Sequence, residues 1–192
     1  MSRKLKRSFY ARDTLVVARE LIGHHLVYVH EGHKMVGRIV ETEAYQGPED
    51  LAAHSAGGHR SPRNEVMFGP PGYAYVYFIY GVWHCLNFVT REHGVPHAVL
   101  LRALEPVTEL PGKTNGPGLL CRTLGLDRRH NGLDLTGDVL YVEAPKNKPQ
   151  PLIQTSPRVG IGDKGEATVL PWRFFDTRSP FVSGRRTRPS EP

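Results

Sequence analysis

Glu41 and Glu43 stand two residues apart in the run RIVETEAYQG, within a segment whose alternation predicts a strand. Strand periodicity puts Glu41, Glu43 and Tyr45 on one face and Val40, Thr42 and Ala44 on the other. Two acids and a tyrosine make a poor core face. Glu41 reads as a solvent-facing charge or as an ion-pair partner of Arg38. Glu43, next to a long loop, is the better candidate for chemistry, although on spacing alone a purely structural carboxylate is favoured by about two to one. Arg102 lies inside the apolar run VLLRAL, where an unpaired charge is expensive. Glu43 is a suitable partner, and the pair could hold a water between them; a plain structural salt bridge is the alternative.

Aromatic residues form the second constellation. Tyr73, Tyr75 and Tyr77 share a predicted strand face, and Tyr80 precedes Gly81 at a predicted hairpin tip. A tyrosine stripe is ordinarily half-buried packing. A tyrosine at a hairpin tip is less easily explained that way, and it has the form of a wedge that fills the space of an extruded base. Stacking a base on an aromatic ring is worth roughly 1–3 kcal/mol, comparable with the few kcal/mol that unstacking costs. His54, in AAHS, is by itself more often a hydrogen-bonded structural residue than a catalyst. The other histidines are scattered without metal-ligand spacing, so neither a metal nor another cofactor is expected.

These residues need a scaffold, and 192 residues with 39% hydrophobic and 23% charged content suit one globular domain. The net charge of +6 favours a polyanionic partner. Cys85 and Cys121 lie in apolar surroundings and read as buried free thiols. No apolar run approaches the roughly 20 residues of a membrane span, so an intracellular, soluble, monomeric protein is expected. Residues 1–8 read as a flexible basic arm, 9–183 as the domain and 184–192 as a disordered tail. Asp13 or Thr14 caps a predicted helix through Ile22, stopped by Gly23. Strands are predicted at 26–30, 35–44, 73–79, 82–90, 98–103, 139–143, 158–161 and 172–175, with a second helix at 118–126. Residues 46–72 form a long loop rich in Gly, Pro and His, with a short helix near 49–53. The pattern is α+β: a curved, mainly antiparallel sheet, a protruding β-hairpin and surrounding helices.

The segments GRIVETEAYQGPEDLAAHS (37–55), SPRNEVMFGPPGYAYVYFIYGVWHCLNF (61–88), VLLRALEP (99–106), NGPGLLC (115–121) and PRVGIG (157–162) are long and ordered. Through them the chain resembles the alkyladenine (3-methyladenine) DNA glycosylase family, over about residues 15–182. The resemblance implies a monofunctional base-excision-repair enzyme that flips alkylated or deaminated purines out of duplex DNA. By motif it implies Glu43 as the residue that activates water, with Arg102 and the Val159 carbonyl as its other holders. It implies Tyr45, His54 and Tyr77 as walls around the flipped base and Asn87 as the residue that disfavours the guanine amine. It implies Tyr80 as the intercalating residue and Arg63 as a phosphate contact. The chain departs from the family pattern at Trp83, Leu119, Ala56 and His59. A non-catalytic lesion-binding protein and a metal-dependent nucleotide hydrolase are the competing readings of the residues.

Overall fold

The computed structural model describes residues 3–146 and 150–184. Its first elements are β1 (Arg3–Lys4) and α1 (Arg7–Tyr10), followed by α2 (Thr14–Leu21). Asp13 caps α2 by accepting from the Leu15 and Val16 amides at 3.0 and 3.1 Å. Thr14, Val17, Ala18 and Leu21 repeat at helical spacing and form its buried stripe. Strands β2 (His25–His30) and β3 (His33–Tyr45) are joined by a tight turn in which Glu31 and Gly32 both take positive φ, 49° and 79°.

Three single 3-10 turns, at Gly47–Glu49, Ala56–Gly58 and Glu65–Phe68, punctuate the long loop where one short helix was expected. Strands β4 (Ala74–Ile79), β5 (Trp83–Thr90) and β6 (His97–Pro106) follow, then α3 (Pro117–Leu124), which starts on Pro117 and stops at Gly125 in the left-handed region. The last strands are β7 (Leu140–Ala144), β8 (Ile153–Ser156) and β9 (Arg173–Asp176).

All nine strands join one sheet, and every named strand pairing is antiparallel. The main path runs β1-β7-β2-β3-β6-β5-β4, and β9 pairs with both β3 and β8. The helices pack on one face. There Val17, Ala18, Leu21, Leu120 and Leu124 meet Ala44, Leu86, Phe88, Val99 and Leu101 in the main core. The other face is left for a different use. With few helices segregated to one side of an antiparallel sheet, the architecture is α+β, as the pattern indicated.

Two expectations need correction. Residues 3–8 do not stand free as an arm. Arg3–Lys4 pairs with β7, the Lys4 ammonium bonds the Gly137 carbonyl at 2.5 Å and Asp138 at 2.6 Å, and Leu5 is buried. The basic composition masked that single apolar anchor. Residues 158–161 are a loop, and the strand lies earlier, at β8. Arg158 turns inward to a buried partner, and Gly160 and Gly162 take φ of 79° and 66°, which interrupts any extended run. Both cysteines are buried and free. Of the expected tail, residues 185–192 lie outside the described residues.

Replacing Asp13 with Ala should remove the α2 cap and lower stability by about 1 kcal/mol. A denaturant titration measures this, and Asp13→Asn should stay close to wild type.

Candidate active site

Strand register sets out the site on the helix-free face. Arg173 of β9 opposes Glu43 of β3, Glu43 opposes Leu100 of β6, Leu100 opposes Asn87 of β5, and Asn87 opposes Tyr75 of β4. Directly opposed residues project from the same side of a sheet, so these five form a row across it. Next to the row the β3–β6 ladder slips. Ile39 pairs with Leu104, Glu41 with Ala103 and Thr42 with Leu101, which leaves Val40 and Arg102 without a direct partner. Arg102 therefore enters the site from an irregularity, a common way for a sheet to re-aim a functional side chain.

Both glutamates are fully buried, at 0% exposure. Oε1 of Glu43 accepts from the Val159 amide at 2.7 Å and faces Nη1 of Arg102 at 3.2 Å, while Oε2 accepts from the Tyr45 hydroxyl at 2.9 Å. Glu41 is neither solvent-facing nor a partner of Arg38, which instead pairs with Glu105 and Asp176. Its carboxylate takes Nε of Arg102 at 2.8 Å, Nε of Arg173 at 2.7 Å, and the Ser183 amide and hydroxyl at 2.5 and 2.8 Å. A buried charge must be compensated, and these are the compensating groups.

Burial is the largest influence on Glu43 and raises its pKa above the ordinary carboxylate value of 4.5; Arg102, the Val159 amide and Tyr45 act against it, and Glu41 adds to it. Burial also raises the Tyr45 phenol well above its usual range, so Tyr45 is a donor to Glu43.

Two cavities adjoin this centre. One of about 290 Å³ is lined by Tyr45, His54, Tyr75, Tyr77 and Asn87, among others. The second, about 340 Å³, shares Tyr45, Tyr77, Ile79 and Gly160 with it and adds Arg102, Val159, Tyr80 and Trp83. The His54 ring stands edge-on to Tyr77, centroids 4.5 Å apart, and its Nδ1 lies 2.8 Å from the Tyr75 hydroxyl. Burial, helped by Arg63, lowers the His54 pKa to about 4, so the ring is neutral at physiological pH. The Asn87 amide donates to the Tyr75 carbonyl at 3.1 Å.

The loop that carries His54 is held by its own side chains. The Asn64 amide donates to the His54 and His59 carbonyls at 3.0 and 2.9 Å, and the Ser55 hydroxyl donates to the Pro96 carbonyl at 2.9 Å.

Tyr80 is 78% exposed at the hairpin tip, on the rim of the second cavity, with φ of 55°. A tyrosine in this region costs about 1–2 kcal/mol, and such strain is typically retained where a side chain has to be presented. Arg63 lies apart from the carboxylates. It donates to the Phe78 carbonyl at 3.1 Å and lines an outer groove of about 360 Å³ together with Arg128.

Sequence reasoning missed several supports. Asp50 and Arg158 form a bidentate pair with both side chains at 0% exposure, 2.5 and 2.8 Å, and the Arg158 guanidinium lies 4.7 Å from the Tyr45 ring centroid. Arg173 and Ser183 were also missed. The available signal was general: an acid within an apolar strand requires a cation, and RFF near the C-terminal end offers one. Among the described residues no group of three or more His, Cys, Asp or Glu is placed to hold a metal ion, and no helix is long and apolar enough to cross a membrane.

A protein of Desulfitobacterium hafniense, provisionally named a 3-methyladenine DNA glycosylase, is 49% identical across 94% of this chain and 98% of its own length. Similarly named proteins of Anaeromyxobacter dehalogenans and Bacillus mycoides are 53% and 46% identical; these alignments cover 94% and 92% of this chain, and 85% and 97% of theirs. Residues 8–180 match the methylpurine-DNA glycosylase (MPG) family, and with the aromatic cavity and buried carboxylate centre in place, the chain belongs to that family.

Proposed function

We propose that this DNA glycosylase extrudes alkylated or deaminated purines from duplex DNA into the aromatic cavity and hydrolyses the N-glycosidic bond with a water activated by Glu43. The observation that carries the reading is the Glu43 carboxylate, wholly buried and held by the Val159 amide, Tyr45 and Arg102; Tyr45 lines both cavities, and Arg102 and Val159 line the second. A carboxylate has about four lone-pair positions, and the three groups leave one of them for a water. Tyr45, His54 and Tyr77 supply aromatic surfaces for the extruded base, and a neutral His54 adds no positive charge against a cationic alkylated purine. Asn87 presents an amide to the cavity floor, where it disfavours an exocyclic amine.

In the chemical step the C1′–N bond breaks with its electron pair leaving on the purine. The developing oxocarbenium charge is stabilised by Glu43, as in glycoside hydrolysis. The water oxygen bonds to C1′ and its proton passes to Glu43. A cationic purine departs neutral, whereas hypoxanthine needs a proton or strong hydrogen bonding to leave. Tyr80 fills the gap left in the duplex, and Arg63 contacts a backbone phosphate. In this reading the domain acts as a monomer on intracellular DNA. A lesion sensor without catalysis would need the aromatic walls and the wedge, but it would gain nothing from burying Glu43 against Arg102.

Single-turnover assays on a duplex with one hypoxanthine, and on methylated DNA, test the reading. Glu43→Gln should bind lesion DNA as wild type does and lose at least about 100-fold in excision. Excision at the wild-type rate would remove Glu43 from the mechanism. The base must be ionised, and the Glu43 pKa is raised. The excision rate should therefore fall as pH is lowered through a midpoint above 4.5. His54, lowered to about 4, stays neutral over the upper part of that limb. Tyr80→Ala should weaken lesion-DNA affinity by roughly 1–3 kcal/mol, measured by equilibrium titration, with intact folding.

A further inference from the structure

We propose that Glu41 is a positioning residue for excision: anchored by Arg173 and Ser183, its carboxylate fixes the direction from which the Arg102 guanidinium meets Glu43. The proposal rests on the glycosylase reading above and extends it to a second carboxylate.

The argument begins with geometry. Arg102 has three separate engagements: Nε donates to Glu41 at 2.8 Å, Nη1 faces Glu43 at 3.2 Å, and Nη2 donates to the Ser183 hydroxyl at 3.1 Å. The shorter charged contact is to Glu41. A guanidinium is planar, so fixing Nε fixes where Nη1 points. Arg102 has no ladder partner across β3, and this network takes the place of one.

Glu41 is in turn over-determined. Arg173 holds it from β9, and the Ser183 amide and hydroxyl hold it from the segment after β9. Arg173 also donates to the Ser183 carbonyl at 3.1 Å, closing the ring of contacts. A buried ion pair that served stability alone would need one cation, and an apolar pair would often serve as well. Here two arginines, a hydroxyl and an amide converge on a carboxylate whose remaining role is to aim Arg102.

Glu43 is faced by Glu41 and Tyr45 on its own strand, by Arg102 from β6, by the Val159 amide, and by Cys85 of β5, which hydrogen-bonds Tyr77 of β4. Burial raises the pKa values of Tyr45, Tyr77 and Cys85, so these groups are neutral at pH 7. The charges that act on Glu43 are thus Arg102 and Glu41, while Arg173 of β9, its ladder neighbour, is bonded to Glu41. Removing the charge of Glu41 should make Glu43 ionise more readily while leaving Arg102 less well directed.

The test compares full-length wild type, Glu41→Gln, Ser183→Ala and Ser183→Thr in single-turnover excision across pH on hypoxanthine and methylated DNA, with lesion-DNA affinity and thermal melting alongside. For Glu41→Gln the plateau rate should fall by about 100-fold, as for a misplaced catalytic group, and the acid limb should move to lower pH. DNA affinity should be unchanged, because Glu41 is out of reach of solvent. A loss of rate without the shift would assign Glu41 to folding alone, and a shift without the loss would make it a bystander charge; either overturns the proposal. If Glu41→Gln does not fold, the Ser183 variants decide: a rate that falls with Ala and returns with Thr supports positioning, and a wild-type rate in Ser183→Ala overturns it. A wild type that releases no base would instead overturn the glycosylase reading itself, whereas active wild type with inactive Glu43→Gln leaves that reading standing whatever Glu41 does.

Discussion

Two ionisable carboxylates buried on one strand are the constraint around which the molecule is built. Removing an ion from water costs several kcal/mol even after relaxation, and Glu41 and Glu43 have no exposed surface at all. β3 itself supplies only the Tyr45 hydroxyl to Glu43, and most of the compensation lies elsewhere. It comes from Arg102 on β6, Arg173 on β9, the Val159 amide in the loop after β8, and Ser183 beyond β9. Each contributor lies far from β3 in sequence, so the centre exists only when the sheet has closed around it. This gives the placement of β9 a reason. Beyond the slipped register near Glu41, β3 leaves β2 and takes β9 as its neighbour, which brings Arg173 opposite Glu43.

The same sheet separates stability from chemistry by face. One side carries the apolar core and the helices, where Thr42 also bonds the Ala18 carbonyl of α2 at 2.9 Å. The other side carries the carboxylates and the cavities. Its aromatic walls are fixed from behind by the Asp50–Arg158 pair. Asp50 receives the Gln46 and Ala52 amides, and Arg158 donates to the Ala44 and Ala167 carbonyls and packs over Tyr45 and Trp172. One buried ion pair thus ties the His54 loop, the Tyr45 ring and the Val159 segment together. Rigid support of this kind keeps a catalytic group within the small tolerance that reaction geometry allows.

Local features were readable in the chain. The Asp13 cap, the Glu31-Gly32 turn, the Tyr80-Gly81 tip and the alternation of β3 to β6 follow from residue type and period, and the structure has them within a few residues. Long motifs carried the family likeness. Other features depended on distant contacts. A residue-by-residue reading of Glu41 pointed to solvent or to Arg38, because its partners Arg102, Arg173 and Ser183 are 61 to 142 residues away. Arg158 read as part of a strand because its inward turn depends on Asp50, 108 residues earlier. Leu5 was hidden within a basic run. In each case the local pattern was correct as chemistry and silent about the partner.

Two of the four departures, Trp83 and Leu119, line the second cavity. Trp83 is a large ring for that position, and it is accommodated because α3 offers Gly118 against it. A Cβ at Gly118 would lie 2.6 Å from the ring, closer than any side chain could tolerate without Trp83 shifting. The ring therefore packs on bare backbone and still lines the cavity beside Tyr80. Leu119 lies in the first turn of α3. Three residues on, and so on a neighbouring part of the helix surface, Arg122 places its guanidinium 4.9 Å from the centroid of the Trp83 ring. Arg122 thus places a cation against the Trp83 ring at this edge of the cavity. Trp83, Gly118 and Arg122 are therefore one coupled solution, and a change at any of them would act on the cavity through the other two.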